Sequence, residues 1–261
     1  MSRLLIFGLG YTASRIADAM QARGWQVDAT GSAGSIAFDD EHTVADALGR
    51  ATHVLSSVPP ADSSDPVLGR YGAALGGKWL GYLSSTGVYG DARGAWVDEA
   101  SPTGGGRRTA RAECDHRWLE AGARVFRLPG IYGPERSAFE RIEEGKAHRI
   151  DLPGQVFSRV HVDDIAAGVV AAIARDAPQG AYNLADDLPS SQNSVIEEAC
   201  RLLGVAPPPL QTIEQADLSP MARGFYAENR RVANGKARRV LQWEPRFPTF
   251  REGLAAIRAR A

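Results

Sequence analysis

A G-x-G-x-x-A pattern occupies residues 8–13, between an apolar segment at residues 4–7 and a stretch with helical periodicity. Gly8 permits a tight turn, Gly10 lets the backbone approach a ligand closely, and the small Ala13 lets a helix pack on the preceding strand. The N–H groups at the start of that helix attract an anion, so we expect a nicotinamide dinucleotide to bind there through its diphosphate. The alternative is a glycine turn without a ligand. The candidate cofactor-binding residues are Gly8, Gly10, Tyr11, Thr12, Ala13, Thr30, Asp39, Ser57 and Pro59.

The residues after the second predicted strand bear on the choice between NAD and NADP. The segment 30–32 lacks the acidic residue that would bind the ribose hydroxyl of NAD, because Asp28 falls inside the strand. It also lacks an arginine for the 2′-phosphate of NADP, so both cofactors stay open, and the small hydroxyl residues favour NADP. Asp39 is a candidate partner for the adenine amino group, and the alternative is a solvated loop carboxylate.

Apolar runs typical of buried strands alternate with helical periodicity along the first half of the chain. Strands are predicted at residues 3–7, 25–30, 35–38, 53–58, 79–84 and 124–128. This alternation predicts an α/β fold with a Rossmann-like, doubly wound parallel sheet. Residues 91–108 are rich in Gly, Pro and Thr and predict a long loop, which a helix at residues 109–121 follows. Asp163 and Asp164 are predicted to form the N-cap region of a later helix.

The composition favours a small-molecule partner. The chain of 261 residues has a formal net charge of −1, so neither nucleic acid nor an anionic membrane is expected as its main partner. Cys114 and Cys200 lie far apart without the spacing of a metal site, so no metal and two reduced thiols are expected. The N-terminal apolar run is too short for a leader or a membrane span, and a cytoplasmic location is expected.

Five further segments resemble the extended short-chain dehydrogenase/reductase family, the group with nucleotide-sugar epimerases and dehydratases. They are LSSTGVYG at 83–90, FRLPGIYGP at 126–134, VHVDDIA at 160–166, YNL at 182–184 and KARRVLQWEP at 236–245. The resemblance implies a dinucleotide-binding domain at residues 1–128 plus 159–186. It also implies a smaller, discontinuous C-terminal substrate lobe at residues 129–158 plus 187–261, and a homodimer paired through helices.

The chain departs from this family at the position of the catalytic pair. Members use a Ser or Thr at the end of the fifth strand and a Tyr-x-x-x-Lys pair on the next helix, where the lysine lowers the pKa of the tyrosine. Ser85 matches the first position, but no tyrosine is followed by lysine four residues later. The chain is most similar to an atypical bacterial subgroup that lacks the pair. A diphosphate-binding arginine of the sugar-nucleotide members is also absent, because Phe157 stands there, and Arg159 is the nearby substitute.

The candidate catalytic residues are therefore Ser85 and Tyr89. Ser85 would hydrogen-bond a carbonyl substrate, or alternatively cap the end of its strand. Tyr89 is the phenol expected nearest to the nicotinamide, although its position in the family is usually a pocket wall. The candidate substrate-binding residues are Tyr132, Arg159 and Arg111. Arg107, Arg108 and Arg111 are expected to border the cleft and to bind an anion, or alternatively to form a solvated basic helix face; His161 is expected to be structural.

Two classes of function follow from these residues. The first is an NAD(P)-dependent oxidoreductase or epimerase-like enzyme that acts on a small carbonyl or sugar-like substrate. Its acid/base group would be non-standard, with protons relayed by water through Ser85. The second is a non-catalytic NAD(P)-binding sensor or regulatory protein. The retained serine favours the enzyme, whereas the missing tyrosine and lysine favour the binder.

Overall fold

The computed structural model describes residues 2–61, 64–106 and 109–260, apart from the side chain of Met221. The strands are β1 (Arg3–Phe7), β2 (Gln26–Ala29), β3 (His53–Ser56), β4 (Trp79–Ser85), β5 (Trp96–Val97), β6 (Arg124–Leu128), β7 (Gly130–Tyr132), β8 (Arg149–Ile150), β9 (Arg159–His161), β10 (Gly180–Asn183), β11 (Leu210–Gln211) and β12 (Arg231–Val232). The helices are α1 (Tyr11–Gln21), α2 (Glu41–Arg50), α3 (Pro66–Tyr71), α4 (Thr109–Glu120), α5 (Ala138–Glu143), α6 (Val162–Ala174), α7 (Gln192–Leu203), α8 (Pro220–Tyr226), α9 (Gly235–Leu241) and α10 (Phe250–Arg258).

A parallel sheet of six strands, in the order β2-β1-β3-β4-β6-β10, forms the centre of the described structure. Strand β1 is apolar from Leu4 to Phe7 because helices cover both faces of the sheet, and Leu4, Leu5, Ile6 and Phe7 are fully buried. The chain runs from β1 to β2 on one side and then returns to place β3 on the other side. A crevice opens at such a reversal, outside the carboxyl ends of β1 and β3. The predicted Rossmann-like α/β fold is confirmed.

The predicted strand at residues 35–38 is wrong. Within this segment Ile36 forms an isolated bridge with Thr30 and does not extend the sheet. The cause is a tight turn in which the Gly34 N–H donates to the Gly31 carbonyl at 2.9 Å. A Cβ atom at Gly34 would collide with the carbonyl oxygen of Ala29, so the chain folds back directly onto the end of β2. Periodicity alone does not reveal this reversal, because the segment keeps an apolar pattern.

Two helical layers cover the sheet. One apolar cluster joins α1 and α6 to one face, with Ile16, Met20 and Val169 buried in it. The other face packs against α2, α3 and α4 around Val44 and Trp118. The ends of these helices are set by local chemistry, as at α2, where the Asp40 carboxylate accepts the N–H of Thr43 at 3.1 Å.

A second group of helices packs beside the carboxyl ends of the strands. Helices α5, α7 and α10 share a core that includes Phe139, Ile196, Phe250 and Leu254. Short parallel pairs connect this group to the sheet: β7 with β9, β8 with β11, and β5 with β12. Strand β5, which pairs with β12, lies within the segment predicted as a long loop at residues 91–108, so that prediction is wrong at Trp96–Val97. The proposed domain boundaries stay a prediction.

The N-cap of α6 is His161 rather than the predicted pair of aspartates. Its Nδ1 accepts the N–H of Asp163 at 3.2 Å. Asp164 is buried and accepts the N–H groups of Arg246 at 2.8 Å and Phe247 at 3.1 Å, which anchors the segment after α9. Across the part of the chain that the structure describes, no helix combines the length and the apolar character needed to cross a membrane.

Candidate functional site

A cleft of about 930 Å³ runs from the carboxyl ends of the central strands into the second group of helices. Gly10, Tyr11 and Thr12 line its sheet side, Ser85 and Arg111 lie along its course, and α5, α7, α8 and α10 contribute its far wall. The cleft therefore brings together the start of α1, the end of β4 and the start of α4. We call the part formed by the second group of helices the lobe side of the cleft.

The glycine loop is held in place by the two strands that flank β1. Gly8 has a φ of +85°, and a Cβ atom there would lie 3.0 Å from Cγ2 of Val58. The N–H of Gly8 donates to Oγ1 of Thr30 at 3.2 Å, and the Ser57 hydroxyl donates to the Gly8 carbonyl at 2.9 Å. The Leu9 N–H donates to the carbonyl of Thr30 at 2.7 Å. The backbone of the loop is thus fixed before any ligand arrives.

The start of α1 fits the diphosphate of a dinucleotide. Gly10 is the N-cap of α1 and supplies no side-chain cap to the first N–H groups of the helix. A Cβ atom at Gly10 would meet no atom within 4 Å, because the position faces the open cleft. An uncapped helix start with open space in front of it is an anion site. Thr12 lines the cleft beside it, and Ala13 is buried under the helix, as a close helix–strand contact requires.

Tyr11 connects this loop to the lobe side. Its hydroxyl donates to the carbonyl of Pro134 at 2.9 Å, and the guanidinium of Arg136 lies 5.7 Å from its ring centre. Burial raises the pKa of Tyr11. The phenol is therefore a neutral hydrogen-bond donor that ties the start of α1 to the segment after β7.

Of the other predicted cofactor-binding residues, Ser57 lines the cleft, whereas Thr30, Asp39 and Pro59 do not. Thr30 is buried, and its hydroxyl is occupied by the Gly8 N–H, so it braces the loop. Ser57 lines the cleft. Asp39 is exposed and forms an ion pair with Arg70. Pro59 is exposed and lies outside the cleft lining.

Two adjacent serines at the end of β4 have different surroundings. Ser85 lines the cleft, and its Oγ accepts the N–H of Gly87 at 3.1 Å, which leaves its hydroxyl hydrogen available to a ligand. The Ser84 hydroxyl donates to the buried carboxylate of Asp115 at 2.6 Å. The hydrogen bond of Ser84 thus anchors the strand end on α4 and positions Ser85.

A buried network behind Ser84 accounts for Tyr89. Asp115 accepts from Nε and Nη2 of Arg127 at 3.1 and 2.7 Å, and Nη1 of Arg127 donates to the Tyr89 hydroxyl at 3.0 Å. The Tyr89 hydroxyl in turn donates to Oδ1 of Asn183 at 2.8 Å. Burial raises the pKa of Tyr89. Tyr89 is buried and is not among the residues that line the cleft, and its catalytic role stays a prediction. Its side chain joins β6 and β10 to the end of β4.

Arg111 is a cation on α4, the helix that would carry the Tyr-x-x-x-Lys pair in other family members. It is half-buried in the first turn of α4 and lines the cleft together with Ser85. Among the described residues, no carboxylate forms an ion pair with its guanidinium. Arg107 and Arg108, which were expected to border the cleft as well, lie outside the described residues.

Tyr132 and Arg159 line the cleft but are occupied by structural contacts. Burial raises the pKa of Tyr132 far above its usual range, and its ring packs edge-on against the ring of His161 at 5.2 Å. The two terminal nitrogens of Arg159 donate to four acceptors: the carbonyls of Phe157, Ser190 and Ser191 and Oε1 of Gln192. Burial lowers the pKa of Arg159 to about 10. Arg159 therefore braces the wall around Phe157.

Several residues on the lobe side were not predicted from the sequence. Arg136 and Arg141, Tyr226 and Arg230 all line the cleft. They lie in irregular segments and short helices that carry no motif, so nothing in their spacing indicates that they converge. The buried ion pair of Arg127 on β6 and Asp115 on α4 was not predicted either, because local sequence does not show that these two side chains meet across the face of the sheet.

No family model matches the sequence. A 3-diazoavenalumate denitrifying reductase from Streptomyces is 32% identical over 174 residues, which cover 61% of this chain; the chain spans about half (55%) of that protein. Protein YeeZ of Escherichia coli is 28% identical over 80% of this chain and 86% of its own length.

Solved structures give the fold over the full length. The UDP-glucose 4-epimerase of Thermus thermophilus, solved with NAD, has a TM-score of 0.74 at 20% identity and covers 99% of this chain and 100% of its own. The human epimerase family protein SDR39U1, solved with NADPH, has a TM-score of 0.76 at 16% identity over 99% and 100% of the two chains. The fold is that of the extended short-chain dehydrogenase/reductase proteins.

A nearer structure gives the family itself. A functionally unknown conserved protein from Silicibacter pomeroyi is 38% identical, with a TM-score of 0.89 over 100% of this chain and 99% of its own. The chain belongs to the family of that protein.

Proposed function

We propose that the protein is an NAD(P)-dependent oxidoreductase of the extended short-chain dehydrogenase/reductase type, in which Ser85 and Arg111 act where relatives use tyrosine and lysine. The observation that carries this proposal is the single cleft, in which the open start of α1 is continuous with both side chains. A site that only held a nucleotide would not need a polar group and an unpaired cation beyond the glycine loop.

The start of α1 would hold the cofactor. The N–H groups of Tyr11 and Thr12 would bind the diphosphate, because the N–H of Gly10 donates to the carbonyl of Gly8 at 2.9 Å. The bound nicotinamide would supply or take up the hydride. Relatives of the fold bind NAD or NADPH, which supports a nicotinamide cofactor. The segment 30–32 has no carboxylate, and Asp28 is turned towards Arg3, with 3.8 Å between their charged atoms. These surroundings favour NADP, because nothing there would repel a 2′-phosphate.

Ser85 and Arg111 would together replace the tyrosine and lysine that other family members use. The Ser85 hydroxyl would donate to the substrate oxygen, and the fixed charge of Arg111 would stabilise negative charge that develops there. An arginine does not release its proton in proteins, so the proton must pass through Ser85 and be replaced by water from the open cleft. Because this proton relay uses neither a histidine nor a carboxylate as its acid or base, we expect the turnover number to be nearly constant between about pH 6 and 9.

The alternative is a non-catalytic sensor of nicotinamide nucleotides. The observation that favours it is the burial of Tyr89, whose hydroxyl donates to Asn183. Among the described residues at the end of β4, no phenol therefore lines the cleft beside Ser85. The two functions differ in turnover and agree in cofactor binding.

The test follows oxidation of NADPH and NADH with a panel of aromatic and aliphatic aldehydes. The enzyme should turn over at least one aldehyde, and Ser85→Ala and Arg111→Gln should each lower kcat/KM by about 100-fold, as for loss of one oxyanion donor. Arg117→Gln is the matched control, because Arg117 lies on the same helix outside the cleft lining. Tight cofactor binding without turnover of any aldehyde, unchanged in Ser85→Ala, would instead establish the sensor.

A further inference from the structure

The lobe side of the cleft has more unpaired positive than negative charge. Three of its carboxylates are already bound: Glu140 accepts from the N–H of Ser137 at 2.7 Å, Glu144 pairs with Lys146 at 2.9 Å, and Glu228 pairs with Arg230 at 2.9 Å. A fourth, Glu135, is exposed at the mouth. Arg141 also lines this side, and no carboxylate among the described residues forms an ion pair with it. The Arg141 side chain is exposed, and a guanidinium can bind a carboxylate through two parallel hydrogen bonds.

An aromatic wall lies beside this arginine. The rings of Phe157 and Tyr226 pack edge to face, with 5.4 Å between their centres and 88° between their planes. Both side chains are partly exposed and line the cleft. Paired backbone hydrogen bonds with Ser190, at 2.9 and 3.1 Å, hold the backbone of Phe157. The guanidinium of Arg159 supports the ring from 5.9 Å. A rigid wall of this kind favours a planar apolar ligand.

The aromatic and cationic groups belong to one cleft, because Arg141, Phe157 and Tyr226 all line its lobe side. Burial raises the pKa of Tyr226, and the positive charges of Arg141 and Arg159 oppose that rise. Val195 and Leu254 line the same cleft and add apolar surface to it.

We propose that the substrate is a planar, conjugated carboxylate whose ring lies against Phe157 and Tyr226 and whose carboxylate binds Arg141. This inference rests on the proposed function, because the opposite end of the substrate must reach Ser85 and Arg111. A sugar nucleotide fits the site poorly. Phe157 replaces one diphosphate-binding arginine, and the terminal nitrogens of Arg159 are committed to four protein acceptors.

The test is calorimetric titration of the full chain, with and without NADP⁺, using four probes. Cinnamate carries the ring and the charge, cinnamamide lacks the charge, 3-cyclohexylpropanoate lacks the planar ring, and UDP-glucose represents the sugar nucleotides. We expect cinnamate to bind at least tenfold more tightly than each of the other three. Equal binding of cinnamamide or 3-cyclohexylpropanoate, tighter binding of UDP-glucose, or no binding of cinnamate would overturn the proposal.

Variants separate the two recognition elements. Arg141→Gln should weaken cinnamate at least tenfold and leave cinnamamide unchanged, whereas Tyr226→Leu should weaken both. Arg201→Gln is the control, since this arginine lies on α7 with its side chain 66% exposed and outside the cleft lining. An unchanged cinnamate affinity in Arg141→Gln would contradict the assignment. If NADP⁺ binds in the same sample and cinnamate does not, the substrate class fails while the proposed function stands; if NADP⁺ itself does not bind, the proposed function fails.

Discussion

The two sides of the cleft are built in different ways. On the sheet side, recognition depends on backbone: Gly10 is open, Gly8 needs a positive φ, and Thr30 and Ser57 hold the turn with hydrogen bonds. On the lobe side, it depends on side chains that converge from separate elements, such as Arg141 from α5 and Tyr226 from α8. A backbone site suits a cofactor common to many proteins, whereas a side-chain site can change its ligand by single substitutions.

The largest effect on stability should come from the buried ion pair of Asp115 and Arg127, which lies behind the end of β4. Asp115→Ala leaves the buried guanidinium of Arg127 without its carboxylate, which should lower the free energy of unfolding by about 3–5 kcal/mol. Chemical denaturation monitored by circular dichroism measures this. Ser84→Ala removes one hydrogen bond to the same carboxylate and should cost about 1 kcal/mol. A loss below 1 kcal/mol in Asp115→Ala would show that the network does not anchor the strand end.

The next largest effect should come from the glycine loop, where two substitutions distinguish the stability of the fold from the affinity for NADPH. Gly10→Val places a side chain in open space, so the melting temperature should stay within about 2 °C while affinity for NADPH falls by about 100-fold. Gly8→Ala is the contrasting variant. It forces alanine into a φ of +85° against Val58 and should destabilise the fold by about 1–2 kcal/mol. Undiminished NADPH affinity in a folded Gly10→Val protein would place the diphosphate elsewhere.

A buried acid after β10 gives a pH-dependent prediction. Burial raises the pKa of Asp186 to about 8, against the opposing charge of Arg159, and its Oδ2 has no partner among the described residues. The native state therefore keeps a proton that the unfolded chain releases near pH 4, so this group's contribution to stability is present below pH 4 and is lost as the pH rises to about 8.

Asp186→Asn removes that titration. The variant should melt several degrees above the parent at pH 8.5 and within about 2 °C of it at pH 4, as differential scanning fluorimetry would show. A parent protein whose stability, relative to the variant, does not decline between pH 4 and 8.5 would mean that Asp186 is ionised throughout.

The smallest effect should be at Tyr89. Tyr89→Phe removes the hydrogen bonds to Asn183 and Arg127 but no group that lines the cleft, so kcat/KM should change by less than about twofold. The free energy of unfolding should fall by about 1–2 kcal/mol. A 100-fold loss of kcat/KM with intact stability would restore Tyr89 as a catalytic residue.

The sequence predicts the sheet side better than the lobe side for a physical reason. The sheet and the glycine loop follow from local periodicity and from the conformational needs of Gly8 and Gly10, which act within a few residues. The false strand at residues 35–38 arose because its apolar pattern does not show that Gly31 and Gly34 reverse the chain.

The direction in which a side chain points depends instead on the tertiary structure. From the sequence, Tyr89 is the phenol expected nearest to the nicotinamide, but its hydroxyl forms hydrogen bonds with Arg127 and Asn183 inside the core. Arg141 and Tyr226 are separated by most of the second half of the chain, and only the folding of α5 and α8 onto one cleft brings them together.

Binding of a nicotinamide dinucleotide at the open start of α1 can be measured by titrating the protein with NADPH and following cofactor fluorescence. We expect saturation at one molecule per chain, with a dissociation constant between about 1 µM and 1 mM, and loss of that saturation in Gly10→Val. The absence of saturable binding by NADPH, NADP⁺, NADH and NAD⁺ to the folded protein would contradict it.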